Sequence, residues 1–279
     1  MTRKAAATDD DPEASSSSSS SYVPGGPIQN AVVVITGANR GIGLEMATQI
    51  LRKSEGNAVV AACRDPAGAT ELMDLQREVG ADRLAVTELD VSEESSVAAW
   101  ASSLGSTAPV KNAAGRVDVV INNAGTTGTD GYTKWQLEDV TADEMLHVFK
   151  INTVGPLIVV QQLLRHGLIG SDATGAGALV GNVTSKVGSV DDNGSGAGYA
   201  YRASKSALNI VNKSMSIDLA DRDVSCVLLH PGWVRTRMTE GRGLIDAEES
   251  AAGLIKAMEG AYGPINGHWY DYKGDEIPW

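Results

Sequence analysis

The sequence is short of cysteine, of positive charge and of long apolar runs. Two cysteines, Cys63 and Cys226, occur in 279 residues, both inside apolar stretches. They read as buried thiols, not as a disulfide framework, and point weakly to a reducing compartment. His147, His166, His230 and His268 fall at no metal-ligand spacing, so no metal is expected. The formal net charge of −12 argues against nonspecific attachment to nucleic acid or an anionic membrane, while leaving room for a local basic pocket. No apolar run reaches the roughly 18 residues that suggest a membrane span. Aromatic residues are scarce, whereas glycine is abundant at 31 residues, which suggests many tight turns or close backbone approaches.

What is present divides into two parts. Residues 1–28 hold several acids, a serine run from Ser15 to Ser21 and a Pro-Gly-Gly stop. Such a stretch cannot bury enough apolar surface to offset its ordering entropy, and disorder is expected. It lacks the apolar core of a secretory signal, and Asp9, Asp10, Asp11 and Glu13 disfavour a transit peptide, so a cytoplasmic location is expected. Residues 29–279 show no linker-like shift in composition and no internal repeat, and read as a single domain.

Within that domain strands and helices alternate. "AVVVITG" at 31–37 is a β-branched run suited to a strand buried on both faces. Further strands are expected at 57–64, 83–91, 117–125, 177–185 and 224–234, with a short edge strand in "GHWYDYKG". Helical patterns lie between them. One opens after Ser92, read as its cap with Glu93 and Glu94 in the first turn. A long, mostly helical one follows Thr141, read as cap, with Glu144 as its capping-box partner. This alternation implies an α/β fold, a Rossmann-type doubly wound, mostly parallel sheet with helices on both faces. Ligands then bind at the carboxyl ends of the strands.

The turn after the first strand is glycine-rich, "TGANRGIG", with Gly37, Gly41 and Gly43. Small residues there let the phosphates of a dinucleotide approach the backbone, and the following helix offers free N–H groups and a positive dipole end. The second strand ends in "CRDP". A plain ribose prefers an acid at that point and a 2′-phosphate prefers arginine. Arg64, with Arg40 approaching from the turn, therefore favours NADPH over NADH, although Asp65 competes for the ribose.

"YAYRASK" places Tyr201 four residues before Lys205, on one face of a helix. A carbonyl that accepts hydride must be protonated on oxygen, and a free phenol titrates near pH 10. Bringing it to about 7 takes about 4 kcal/mol, a field that one close ammonium and a cationic nicotinamide can supply away from water. Thr184 and Ser185 precede the pair across a glycine-rich loop, and Ser185 suits a hydrogen-bond donor to the substrate oxygen. Asn152 lies in a helical pattern that Gly155 and Pro156 disturb. Proline removes a backbone donor, a kink signal, and a local distortion there could free the Asn152 carbonyl to hold a water. Trp233 and Met238 follow the sixth strand and suit the wall of an apolar substrate pocket. Trp135 is a further apolar residue in a loop, without an assigned role, and Trp269 suits core packing equally well.

Taken together, "TGANRGIG" at 36–43, "LDV" at 89–91, "NNAG" at 122–125, Asn152, Ser185, "YRASK" at 201–205 and "HPGWVRT" at 230–236 resemble the classical short-chain dehydrogenase/reductase family. The resemblance covers residues 31 to 279. It is strongest toward the small NADPH-dependent carbonyl reductases of the sniffer and C-signal-factor type. It implies a catalytic set of Asn152, Ser185, Tyr201 and Lys205. It also implies a cofactor site formed by Gly37, Asn39, Arg40, Gly41, Ile42, Gly43, Arg64, Asp90, Val91, Asn123, Ala124, Gly125, Tyr201, Lys205, Pro231, Gly232, Val234 and Thr236. Val234 would meet the nicotinamide carboxamide. Arg237 departs from the family, where many relatives carry an acid. The implied activity is NADPH-dependent reduction of a ketone or aldehyde. The alternatives are an alcohol dehydrogenase working mainly in oxidation and a silent cofactor-sensing regulator, against which the intact catalytic set argues. The expected partner is a small-molecule carbonyl or alcohol, with neither nucleic acid nor membrane involved. The apolar helices leave room for a homodimer.

Overall fold

A computed structural model describes residues 22–129, 131, 135–170 and 177–279. Seven strands form one sheet: β1 Val32–Thr36, β2 Ala58–Cys63, β3 Leu84–Glu88, β4 Val119–Asn122, β5 Ala178–Val183, β6 Val224–His230 and β7 Trp269–Asp271. Their order is β3-β2-β1-β4-β5-β6-β7, and every ladder is parallel. A parallel sheet needs helical crossovers, and these cover both faces. Period-two alternation along β1 then sends Val33 and Ile35 to one core and Val32 and Val34 to the other. Helices α1 (Gly41–Lys53), α2 (Thr70–Val79) and α8 (Ala247–Met258) close the first core, with Met46, Ile50, Leu72 and Leu254 buried there. The second is closed by α3 (Glu94–Leu104), by α4 (Ala108–Asn112), which periodicity had not indicated, and by α6 (Gly155–Arg165). Helices α5 (Ala142–Phe149) and α7 (Tyr199–Asp218) pack against each other. The winding reverses between β1 and β4, so a crevice opens beyond their carboxyl ends.

Four expectations change in detail. The helix expected without interruption after Thr141 is divided into α5, a π-helical turn at Lys150–Val154, and α6. The cause is Pro156, whose missing N–H is the one an α-helix would aim at the Asn152 carbonyl. Ser92 is not a cap, because α3 begins at Glu94 without a side-chain cap. The Ser92 backbone N–H and hydroxyl instead donate to Asp90 Oδ1, at 2.9 and 2.7 Å. The capping box is half formed: Thr141 accepts from the Glu144 N–H, but the Glu144 carboxylate turns away to the loop after β4.

The fourth change concerns the amino-terminal tail. Residues 1–21 lie outside the described residues. Tyr22 and Ile28, which had been assigned to that tail, are buried in the first core. The Ile28 N–H donates to Glu259 Oε1 at 2.7 Å. The domain therefore includes Tyr22, ahead of the expected boundary at residue 28.

Candidate active site

The crevice is built first by the glycine turn. Gly37 has φ +65°, and a Cβ there would sit 2.9 Å from the Ala124 Cα. A Cβ on Gly43 would lie 2.5 Å from Asn123 Nδ2 and 2.6 Å from the Gly37 carbonyl. Only glycine lets α1 start this close to β4. Asn123 fastens the two strand ends, its amide donating to the carbonyls of Thr36 and Gly37 at 3.0 and 3.1 Å. The Thr36 hydroxyl accepts from the N–H groups of Asn123 and Ala124. Helix α1 then begins with no side-chain cap, so its first N–H groups are left for an anion.

The cleft above this turn has a volume of about 870 Å³. Gly37, Asn39, Arg40, Gly41, Ile42 and Gly43 line one end, with Arg64, Asp90 and Val91 beside them. Arg40 and Arg64 are exposed, and neither has an ion-pair partner among the described residues. Asp65 is not part of the lining; its Oδ1 accepts from the Gly68 N–H at 3.0 Å. Burial alone would raise the Asp90 carboxyl, but the Ser92 hydrogen bonds and the charges of Arg64 and Lys150 outweigh it and hold the group below its usual range.

Asn123, Ala124, Gly125, Thr184, Tyr201, Lys205, Pro231, Thr236 and Met238 line the rest. Helix α7 brings Tyr201 and Lys205 to the same wall, with Lys205 Nζ 5.7 Å from the phenol ring centroid. Lys205 is only 4 % exposed, and its Nζ donates to the Val183 carbonyl at 2.9 Å. Burial pushes its pKa down to about 8. Asn152 sits fully buried in the π-helical turn. Its amide donates to the Thr126 carbonyl at 2.8 Å and to Ser204 Oγ at 3.0 Å, and its Oδ1 accepts from the Thr126 N–H at 2.9 Å. Asn152 thus clamps the loop that follows β4. Ser185 is nearly buried at the start of a 3₁₀ turn after β5 and is not among the lining residues, although its neighbour Thr184 is.

Beyond β6 the placement is divided. Gly232, Trp233 and Val234 do not line the cleft. Val234 is buried and bridges to Ile245, and its carbonyl accepts from Thr239 Oγ1 at 2.6 Å. Trp233, in the bend that follows Gly232, is 51 % exposed and does not wall the pocket as its position had suggested.

Other contributors had escaped notice in the sequence. Thr126, Thr127, Gly128 and Thr129 line the cleft, and so do His147 and Ile151, one turn apart on α5 and the π-helical turn. Buried Glu144 holds that loop, accepting from Thr129 N and Oγ1 at 2.8 and 2.9 Å. The Trp135 ring lies 6.2 Å from that of Tyr201, and its carbonyl accepts from the Gly198 N–H at 2.7 Å. The one available signal was the Gly/Thr-rich "TTGT" after "NNAG".

Comparison with known proteins bears on this geometry. The family model described as short chain dehydrogenase matches residues 31–244. C-signal of Myxococcus xanthus is 42 % identical over 166 residues, covering 59 % of this chain and 94 % of the relative. The NADPH-bound carbonyl reductase from chicken fatty liver superposes with a TM-score of 0.75 at 30 % identity, covering 89 % of this chain and 99 % of that one. The carbonyl reductase Sniffer of D. melanogaster gives 0.76 at 28 % identity, with coverages of 90 % and 100 %.

Proposed function

The chain belongs to the short chain dehydrogenase family, NAD(P)-dependent oxidoreductases acting on small molecules, and from that premise we propose that it reduces a ketone or aldehyde to an alcohol with NADPH. One observation carries the proposal: the Tyr201 phenol and the buried Lys205 ammonium share a wall of the cleft whose other end is the glycine turn with Arg40 and Arg64. Within the family we place the chain with the sniffer and C-signal-factor type of carbonyl reductase, on "CRDP" at 63–66, "YRASKSALN" at 201–209 and the "YDYKGDEIPW" ending at 270–279.

The donor set fits a dinucleotide with a 2′-phosphate. Arg40 and Arg64 would take that phosphate, because both line the cleft beside the glycine turn while Asp65 does not, its Oδ1 accepting from the Gly68 N–H. The backbone at Gly41–Gly43 would take the pyrophosphate, and Asp90 and Val91 the adenine. When bound, the reduced nicotinamide supplies the hydride.

The chain's own groups handle the oxygen and its proton. Tyr201 donates a proton to the carbonyl oxygen as negative charge develops there. Lys205 stabilises the phenolate left behind, through a charge that burial keeps poorly screened. Ser185, beside cleft-lining Thr184 but not itself in the lining, is assigned a hydrogen bond to the same oxygen by the family resemblance, so that the growing charge would meet an oriented dipole. Asn152 holds the Thr126 loop in place, and its carbonyl, with no α-type donor at Pro156, accepts a hydrogen bond from a water leading to Lys205. The test is to mix the protein with NADPH and a panel of aldehydes and ketones and to follow loss of reduced-cofactor absorbance. Turnover of several carbonyls is expected; tight NADPH binding without turnover across the panel would replace the reductase with a cofactor-sensing regulator.

A further inference from the structure

Three buried hydrogen bonds join the end of β5 to one face of α7. Asn182 Nδ2 donates to Asn212 Oδ1 at 2.8 Å, Lys205 Nζ to the Val183 carbonyl at 2.9 Å, and Thr184 Oγ1 to Asn209 Oδ1 at 2.8 Å. Residues 205, 209 and 212 are spaced i, i+4, i+7, so they share a helix face. Thr184 is 1 % exposed and Asn209 4 %. Stability alone does not ask for such pairs, since apolar groups of matching shape can replace both partners of a buried hydrogen bond at little net cost. A polar pair does something an apolar contact does not. Apolar contacts are non-directional, whereas a hydrogen bond holds at one distance and orientation.

The place of the Thr184–Asn209 bond makes that restraint matter. Thr184 immediately precedes Ser185, and Asn209 lies one turn beyond Lys205. The bond therefore couples the segment that leads from β5 to the serine to the helix that carries the phenol and the ammonium. We propose that Thr184 and Asn209 are positioning residues that set the separation between the Ser185 hydroxyl and the Tyr201 phenol at the carbonyl oxygen. The inference rests on the proposed reaction. The Asn182–Asn212 bond joins the same two elements at a greater remove from Ser185 and Lys205, and serves as an internal control.

The test uses Thr184→Val, Thr184→Ser, Asn209→Leu, the Val/Leu double variant and Asn212→Leu in the full chain. It reads kcat and KM for the carbonyl, Kd for NADPH, and Tm. Misplacement of reacting groups by about 1 Å costs about 100-fold. Thr184→Val and Asn209→Leu should each lower kcat about 10- to 100-fold with NADPH affinity retained. Thr184→Ser should restore the rate, and the double variant should be no worse than the poorer single one. Asn212→Leu should lower Tm while leaving kcat near the parent value. Parental kcat in Thr184→Val, additive losses in the double variant, or an Asn212→Leu loss of kcat equal to that of Thr184→Val would each overturn the proposal. Should Asn209→Leu fail to fold, the Val and Ser variants of Thr184 decide alone. A parent chain inactive on the whole carbonyl panel overturns the reaction and this inference together; an active parent with an equally active Thr184→Val variant overturns only the inference.

Discussion

Lys205 carries the charge on which the proposed chemistry turns, and its burial has a consequence for pH. Desolvation lowers its pKa to about 8, so the ammonium is present below that pH and is lost above it. Its support of a Tyr201 phenolate is lost in the same direction. Carbonyl reduction at saturating NADPH should therefore fall as pH rises through about 8, and Lys205→Met should remove most activity together with that limb. A rate still climbing beyond pH 9 would contradict the assignment. At the other end of the cleft, Arg64→Ala should weaken NADPH binding about 10- to 100-fold, as expected for loss of a charge-assisted hydrogen bond, and leave NADH binding little changed. Titrating both cofactors checks this, and equal losses would exclude the 2′-phosphate role. At this scale the Tyr201/Lys205 pair and the glycine turn were legible because helix spacing and close backbone approach are local demands. Trp135 against Tyr201 and Glu144 against Thr129 were not, since they join segments whose proximity no local pattern encodes.

Among the elements, the π-helical turn at Lys150–Val154 shows how one residue acts through backbone geometry. Pro156 cannot donate to the Asn152 carbonyl, the helix here continues through a widened turn, and Asn152 faces Thr126 and Ser204. Pro156→Ala returns the missing N–H and lets the helix tighten. It should leave Tm unchanged or higher, while lowering kcat by about 10-fold through the shifted Asn152. Thermal melts and steady-state kinetics on the same sample check this; unaltered kcat would mean that the turn is only structural. The sequence marked the disturbance at Gly155 and Pro156 but not its form, because kinking, breaking and widening begin from the same missing donor. Ser92 illustrates the reverse case. A serine before two glutamates matches a helix start, yet the Asp90 carboxylate takes both its N–H and its hydroxyl.

For the whole molecule, the alternation of β-branched runs with amphipathic stretches was enough to specify a parallel sheet covered on both faces, and hence where a cleft must open. The strand order depends on which crossovers reverse direction, and no local periodicity records that. The edge of the domain was misplaced for a related reason. Tyr22 and Ile28 are isolated apolar residues amid proline and glycine, so they show no period, yet both enter the first core. Ile28→Ala should therefore cost about 2–5 kcal/mol, measurable by chemical denaturation, where a change under about 0.5 kcal/mol would place Ile28 outside the core. The account as a whole rests on a single proton donor in the cleft. Its most direct test is the turnover of Tyr201→Phe on a carbonyl that the parent reduces, with NADPH affinity measured on the same sample. A fall in kcat of at least about 100-fold, within the range for loss of a general acid, with cofactor affinity retained, is the expected result. A Phe variant that reduces the carbonyl as fast as the parent would contradict it.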